Sequence, residues 1–255
     1  MNIIINGILG QMGREVASLC ERGYRGATLV MGVDAGAVDE EGVYSSFCDI
    51  TALGEVDCII DFSHHSAVTA LLDFAVTNKI PTVIATTGHT PDELVRIHRA
   101  ARCIPIFLSA NMSLGVALLV ELARTAALAM PDAEVEIIEK HHSKKIDAPS
   151  GTALTIAKAM RDIRPELYIN SGRTGLSSRT RNEIGIHAVR IGNTVGEHEI
   201  LIGTENQTIT LKHEAHSRVL FAEGAIAAAQ FIMGCEVGLY DMKSLVSGER
   251  EYART

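Results

Sequence analysis

The chain of 255 residues has little of several features that mark special classes of protein. Its 6 prolines and 22 glycines are too few for a fibrous or low-complexity chain. No stretch approaches the roughly 18 consecutive apolar residues that a membrane-spanning helix needs. Residues 1–7 lack the basic segment and the cleavage site of a signal peptide, so no secretory leader is expected.

Cysteine is also scarce. Cys20, Cys48, Cys58, Cys103 and Cys235 are odd in number and widely spaced, and they form no C-x-x-C pair. The metalloprotease pattern H-E-x-x-H is absent too. The sequence therefore predicts neither a disulfide framework nor a metal site, and it favours a reduced protein of the cytoplasm.

Basic residues are outnumbered, with 23 Lys and Arg against 31 Asp and Glu and a net charge of -8. Because such a chain has no overall attraction to phosphate backbones or anionic lipids, we expect neither nucleic acid nor a membrane as a partner. A local basic pocket for a small acidic molecule remains compatible with this charge. Hydrophobic residues are plentiful at 47%, enough for the core of one large or two modest domains.

Residues 2–108 alternate short apolar runs with amphipathic stretches. The pattern predicts strands at 2–6, 28–34, 56–61, 81–85 and 104–108, and helices at 10–21, around 68–74 and at 94–101. Strands that alternate with helices of this length form βαβ units, and near-continuous apolar strands are typical of a parallel sheet covered on both faces. The expected fold class of this part is α/β and Rossmann-like.

The pattern changes after Gly115. The sequence predicts helices at 116–130 and 151–162 and a strand at 134–140, and then three runs that resemble antiparallel strands at 184–190, 197–202 and 207–213, before a last helix at 219–233. A plausible hairpin loop, 203–206, joins the last two strands. We predict a dinucleotide-binding domain built from 1–112 and 218–255, and a smaller α+β domain with a mixed or antiparallel sheet at 113–217.

Three glycines, Gly7, Gly10 and Gly13, lie between the first strand and the first helix. Glycine permits a sharp turn and a close backbone approach to a pyrophosphate, which the helix N-terminus then attracts. The spacing departs by one residue from G-x-G-x-x-G, and the alternative is a tight structural turn. Asp34 ends the second strand, where an acid accepts hydrogen bonds from the adenosine ribose, so the context favours dinucleotide binding.

Two features bear on the choice of dinucleotide. Asp34 is followed by Ala35 and Gly36, so no adjacent arginine is offered to a 2′-phosphate. Gln11 occupies a loop position where a basic residue could otherwise help. Both features favour NADH over NADPH, and the alternative is a base from elsewhere in the fold that serves NADPH.

The most informative stretch is residues 136–153. His141 supplies a group that titrates near neutrality, and Lys145 supplies a fixed donor, a combination suited to proton transfer at an anionic substrate. Ser150, Gly151 and Thr152 stand at a predicted helix start, where hydroxyls and free N–H groups bind a carboxylate. A metal site is disfavoured because adjacent histidines on an extended segment tend to point apart.

The run E-x-x-E-x-H-H-x-x-K-x-D-x-P-S-G-T-A, from Glu136 to Ala153, resembles the signature of the dihydrodipicolinate reductases. The resemblance covers essentially the whole chain, and further matching segments are 7–13, 61–63, 86–88, 109–113, 190–192, 195–198 and 238–242. It implies an NADH- or NADPH-dependent reduction of 4-hydroxy-tetrahydrodipicolinate, a small dicarboxylate, to tetrahydrodipicolinate with loss of water, in lysine and diaminopimelate synthesis. It also implies a homotetramer formed mainly through the sheet of the second domain.

The resemblance also implies roles for individual residues. His141 matches the proton donor or acceptor and Lys145 the catalytic lysine. The expected substrate contacts are His142, Lys145, Ser150, Gly151, Thr152 and Thr87. The expected cofactor contacts are Gly7, Gly10, Gln11, Met12, Gly13, Asp34, Ala85, Thr86, Thr87, Gly88, Ser109, Ala110, Asn111, Met112 and Arg218. His64 and His65 are interpreted as residues of a solvated loop. The remaining histidines singled out by sequence are interpreted as structural: His187, His198, His213 and His216.

Two alternatives remain at this point. Another Rossmann oxidoreductase of amino-acid metabolism, similar to aspartate or homoserine dehydrogenase, shares the glycine loop but lacks the central run. A non-catalytic dinucleotide-sensing protein keeps the glycines and Asp34 but loses His141 and Lys145. The presence of both residues favours the reductase.

Overall fold

A computed structural model describes residues 1–38 and 41–250. Residues 39–40 and 251–255, which belong to the predicted dinucleotide-binding domain, lie outside the described residues. The chain divides into two compact units. The first is formed by Met1–Leu114 together with the chain from Val219 onward, and the second by Gly115–Arg218.

The first unit contains a parallel sheet, in which seven strands are seen among the described residues. In chain order these are β1 (Asn2–Asn6), β2 (Thr28–Val33), β3 (Val43–Tyr44), β4 (Cys58–Asp61), β5 (Thr82–Ile84), β6 (Pro105–Leu108) and β12 (Gly238–Tyr240). Their spatial order is β12-β6-β5-β4-β1-β2-β3. Successive residues of β1, Ile3, Ile4 and Ile5, are all fully buried, so both faces of the sheet are covered, and the predicted Rossmann-like fold is confirmed.

The helices of the first unit are α1 (Gln11–Glu21), α2 (Val68–Asn78), α3 (Pro91–Ala100), α6 (Val219–Ile232) and α7 (Met242–Ser247). Helix α3 begins three residues before the predicted start because Thr90 caps it. The Thr90 hydroxyl accepts from the amide of Glu93, whose carboxylate accepts in return from the amide of Thr90. The sequence did not predict β3, β12 or α7, which are too short to show a hydrophobic period.

The second unit consists of two helices and a five-stranded sheet within the part of the chain that the structure describes. They are α4 (Leu114–Ala129), β7 (Glu134–His141), α5 (Gly151–Ile163), β8 (Tyr168–Ser171), β9 (Glu183–Arg190), β10 (Gly196–Thr204) and β11 (Gln207–Ala215). Apolar side chains of both helices, including Leu119, Ile156 and Met160, form one core with Ile137 and Ile200 of the sheet. The sheet order is β11-β10-β7-β9-β8.

This second sheet is mixed. Strands β10 and β11 form the predicted hairpin, whose two-residue loop is Glu205–Asn206, and β10 also lies antiparallel to β7. The prediction that 184–190 resembles an antiparallel strand is wrong, because β9 runs parallel to both β7 and β8. The reason is the crossover: α5 returns the chain so that β8 and β9 enter the sheet in the same direction as β7.

Candidate functional site

The candidate site of the second unit is built at the end of β7. Side chains alternate along this strand, and Val135, Ile137, Glu139 and His141 share its buried face. Glu139 is fully buried and His141 is only 9% exposed. A charged side chain on a core face needs partners, because an unpaired buried charge is strongly destabilising.

Glu139 has three such partners, which make four contacts with its two oxygens. One carboxylate oxygen accepts from Arg190 at 2.7 Å and from the backbone N–H of Ser150 at 2.9 Å. The other accepts from Arg190 at 2.8 Å and lies 2.6 Å from Nδ1 of His141. The fork-shaped guanidinium therefore holds the carboxylate from one side, and the imidazole meets it from another.

These contacts set the charges of the cluster. Burial raises the pKa of Glu139, but the hydrogen bonds from Arg190, His141 and Ser150 outweigh it and leave the pKa below its ordinary value. Burial lowers the pKa of His141, the bond and charge of Glu139 raise it, and the positive charges of Lys145 and Arg190 lower it again. The net pKa of His141 lies below its ordinary value, so the ring is neutral around neutral pH beside an ionised carboxylate.

Ser150 joins this cluster to helix α5. Its hydroxyl caps the helix by accepting from the amide of Ala153 at 3.2 Å, and it lies 3.0 Å from Nε2 of His198. The His198 ring meets the edge of the His141 ring at a centroid distance of 5.2 Å. Burial, followed by the charge of His141, lowers the pKa of His198 to about 4. His198, interpreted from sequence as structural, thus lies inside the candidate site.

The loop between β7 and α5 carries the other predicted substrate residues. The Nζ atom of Lys145 lies 2.7 Å from a carboxylate oxygen of Asp147 and holds the pKa of that carboxyl below its usual range. His142 is half-buried, and its Nδ1 has no hydrogen-bond partner among the described residues. Gly151 is exposed at the start of α5, and Thr152 lies in the first turn.

The glycine loop of the first unit lies between β1 and α1. Gly7 has a φ of +81°, and a Cβ atom there would lie 2.6 Å from the carbonyl oxygen of Phe62. A Cβ atom on Gly13 would lie 2.1 Å from the carbonyl oxygen of Gly7. Gly10 is the cap residue of α1, and it makes no side-chain cap hydrogen bond to the first turn of this helix. Glycine is therefore required sterically at positions 7 and 13. A helix N-terminus next to such a turn attracts an anion.

Asp34 follows β2 and adjoins this loop. One of its oxygens accepts from the N–H of Leu9 at 3.0 Å, and the other accepts from the N–H of Gly36 at 2.9 Å. The carboxylate is therefore fixed at the end of β2, beside the turn that carries the glycines. This position at the edge of the sheet is the one that the sequence indicated for contact with a ribose.

Two further predicted segments follow strands of the same sheet. Ala85–Gly88 follows β5, where Ala85 and Thr86 are buried while Thr87 and Gly88 are exposed. Ser109–Met112 follows β6, and the Ser109 hydroxyl donates to the carbonyl of Asn111 at 2.8 Å. Because all these strands are parallel, both segments lie at the sheet edge that carries the glycine loop. Arg218, by contrast, is an exposed residue at the end of the second unit.

Sequence reasoning missed Glu139 and Arg190 as members of the site, although both stand in segments that match the family. The signal for Glu139 was its spacing of two from His141, which places both on one face of a strand. In the described parts of the chain, no cluster of three or more His, Cys, Asp or Glu residues could hold a metal ion. No helix there is both long and apolar enough to span a bilayer.

Comparison with known families agrees with the geometry. The family model described as "Dihydrodipicolinate reductase, N-terminus" matches residues 1–112, and "Dihydrodipicolinate reductase, C-terminus" matches residues 115–246. The 4-hydroxy-tetrahydrodipicolinate reductase of Caldanaerobacter subterraneus subsp. tengcongensis is 44% identical over 249 residues, 96% of this chain and 98% of that protein. The enzyme of the same name from Clostridium novyi is 38% identical and covers 97% and 98%.

Solved structures show the same fold. A dipicolinate-bound dihydrodipicolinate reductase from Paenisporosarcina sp. TG-14 matches with a TM-score of 0.80 at 24% identity, over 94% of this chain and 97% of that one. A C. glutamicum DAP dehydrogenase in complex with DAP matches with a TM-score of 0.59 at 15% identity, over 95% and 93%. The chain therefore belongs to the dihydrodipicolinate reductase family and is an NAD(P)H-dependent oxidoreductase of lysine and diaminopimelate biosynthesis.

Proposed function

We propose that the chain reduces 4-hydroxy-tetrahydrodipicolinate to tetrahydrodipicolinate with loss of water, and that His141 transfers the proton. The observation that carries the proposal is the buried imidazole of His141 at the end of β7, held at Nδ1 by Glu139 of the same strand. The loop that carries Lys145 follows directly and leads to the start of α5. The reaction named for the relatives and the dipicolinate bound to the solved neighbour support it.

The second unit is proposed to bind the substrate. Lys145, His142 and the α5 start at Ser150, Gly151 and Thr152 are the proposed carboxylate contacts. A dianion needs a local cationic site in a chain of net charge -8, and an ammonium group together with a helix N-terminus supplies one. Because Lys145 pairs with Asp147, a substrate carboxylate that binds Lys145 competes with Asp147 for it.

The first unit is proposed to bind the dinucleotide. Gly7, Gly10 and Gly13 permit the tight turn between β1 and α1, and the helix that starts with Gln11 and Met12 has no side-chain cap at Gly10. A helix N-terminus attracts the negative charge of a pyrophosphate. A dinucleotide held there would supply the hydride from its nicotinamide. Further proposed cofactor contacts are Asp34, Ala85, Thr86, Thr87, Gly88, Ser109, Ala110, Asn111, Met112 and Arg218; Thr87 is also proposed to contact the substrate.

Proton transfer is proposed to use Nε2 of His141. The pKa of this ring is below its ordinary value because of burial, and Glu139 only partly offsets that effect. Two substrate carboxylates brought near the ring favour its charged form and therefore raise its pKa on binding. Binding of the dianionic substrate thus promotes protonation of His141, which suits a general acid near neutral pH.

We further propose that NADH is the preferred cofactor. The Asp34 carboxylate is fixed at the end of β2 by the amides of Leu9 and Gly36. Ala35 and Gly36 follow it and provide no cation for a 2′-phosphate, which the carboxylate repels. A ribose hydroxyl, in contrast, donates a hydrogen bond to the same carboxylate.

A homotetramer formed through the second sheet and a location in the cytoplasm also remain proposals. Strand β11 is the edge of that sheet, and its residues 207–210 are exposed, which suits pairing with another copy. The five cysteines are unpaired, as is usual in a reducing compartment. Light scattering at four times 27.4 kDa supports the tetramer, and a mass of 27.4 kDa rejects it.

The activity is tested by following NADH and NADPH absorbance while dihydrodipicolinate synthase generates the substrate in place. We expect oxidation of both cofactors, with the higher kcat/KM for NADH. The Lys145→Ala variant should raise KM for the substrate, while the exposed His216→Ala, in the same unit, serves as the matched control. Absence of oxidation with either cofactor contradicts the proposed function.

A further inference from the structure

Behind His141 lies a buried ion pair to which the reductase reaction assigns no role. Glu139 is fully buried, and all four contacts to its two oxygens come from donors or from a ring nitrogen: two from Arg190, one from the Ser150 amide and one from His141. An isolated carboxylate at such a depth would be neutral. The bidentate guanidinium keeps this one ionised and fixes its plane.

An ionised carboxylate only accepts hydrogen bonds. The 2.6 Å contact to Nδ1 of His141 therefore requires a proton on Nδ1, whether the ring is neutral or charged. The neutral ring then carries its lone pair on Nε2, and Nε2 is the nitrogen that gains or loses a proton. A Cβ atom on Gly196 would lie 3.1 Å from this Nε2, so a glycine there leaves the atom uncrowded.

The charges around His141 come from several elements. Glu139 on β7 raises its pKa, while Lys145 in the following loop and Arg190 on β9 lower it. His198 on β10 faces the ring edge-on, and burial keeps it neutral with a pKa of about 4. Among the charged groups that shift the pKa of His141, Glu139 is therefore the anion, and Lys145 and Arg190 are the cations.

We propose that Glu139 is the positioning residue of His141, fixing the Nδ1–H tautomer so that Nε2 exchanges the proton, and that Arg190 holds Glu139 in place for this role. The kinetic part of this inference rests on the proposed function, whereas the tautomer of the free enzyme does not. The alternative is an ion pair that contributes to folding alone.

The chain provides a matched control on the other face of β7. Glu136 lies 2.8 Å from Nε2 of His187 and accepts from Arg173 and Arg179 at 3.2 Å and 3.1 Å. Glu136 is on the same strand as Glu139, and its partners are the same types of group, but this cluster lies away from the candidate site. A substitution at Glu136 therefore reports the cost of losing a Glu–His–Arg cluster without disturbing His141.

The kinetic experiment measures kcat against pH for the wild type and for Glu139→Gln, Glu136→Gln and the double variant Glu139→Gln/Arg190→Met. Loss of the carboxylate removes the group that raises the pKa of His141, so the alkaline limb of Glu139→Gln should move to lower pH. We expect a fall in kcat of about 100-fold, within the range of general acid catalysis, and an unchanged profile for Glu136→Gln. The double variant leaves no unpaired buried guanidinium and should remain slow. Recovery of wild-type kcat in the double variant overturns the proposal.

The second measurement needs no activity. Ring nitrogen NMR shifts of the free wild-type enzyme are recorded above the pKa of His141, whose signal is identified by its loss in His141→Gln. We expect Nδ1 to be protonated and Nε2 to be unprotonated. An Nε2–H tautomer or an even mixture overturns the inference even if the enzyme is active. If the tautomer is as expected but no reduction occurs, the proposed function fails and the positioning of the ring stands.

Discussion

Acid should destabilise the second unit through His198. This side chain is 4% exposed, and its pKa is lowered from 6.5 to about 4 by burial and by its neighbour His141. Between these pH values the unfolded chain binds a proton that the folded chain does not, so stability is lost as the pH falls from about 6.5 towards 4. A difference of about 2.5 pKa units corresponds to about 3 kcal/mol lost by pH 4.

The assay is the free energy of urea unfolding, followed by far-UV circular dichroism from pH 7.5 to 4. His198→Gln keeps a polar group within reach of Ser150 but cannot be protonated, so its loss of stability over this range should be smaller by about 3 kcal/mol. The carboxylate of Glu139, which also destabilises at low pH, is common to both proteins and cancels in the difference. The exposed His216→Gln is the control. Equal pH dependence in His198→Gln and the wild type would refute the reasoning.

Three further predictions concern the cofactor and the proton. Gly13→Ala places a Cβ atom 2.1 Å from the carbonyl oxygen of Gly7, so calorimetry should show a lower affinity for NADH, and thermal unfolding should show a loss of stability of about 1–3 kcal/mol. The control Gly54→Ala has open space around it and should change neither quantity. Equal NADH affinity in the two variants contradicts the steric argument. Asp34→Asn removes a negative charge but keeps one acceptor oxygen, so the ratio of kcat/KM for NADH to that for NADPH should fall; an unchanged ratio removes Asp34 as the selecting residue. A dianionic substrate beside His141 should raise the pKa of the ring, so the alkaline limb of kcat should lie at higher pH than that of kcat/KM. Coincident limbs count against this effect.

The parallel sheet of the first unit was predictable because its strands are buried on both faces. Ile3, Ile4 and Ile5 form an unbroken apolar run for that reason. Strands β3 and β12 were missed because they have only two and three residues, too few to show a hydrophobic period. Such short segments form strands only when they pair with a neighbouring strand of the sheet. The direction of β9 was predicted wrongly because a strand's direction depends on which strands it joins, and local sequence does not specify this.

In the candidate site too, the part that is local in sequence could be predicted, and the part that depends on strand pairing could not. The loop from His141 to Thr152 is continuous in sequence, so its chemistry was visible in one motif. Glu139 lies on the same strand as His141, but two further members of the site come from other strands: Arg190 pairs with His141 in the register of β7 and β9, and His198 pairs with Glu139 in that of β7 and β10. These pairs join residues 49 and 59 positions apart, and only the strand order of the sheet brings them together.

The most direct test of the central claim is the kcat of His141→Gln on substrate generated by the synthase, with the binding of dipicolinate measured on the same preparation. If His141 transfers the proton, kcat should fall by about 100-fold or more while dipicolinate still binds. A variant that binds dipicolinate and keeps near wild-type kcat would contradict the account, because another group would then supply the proton.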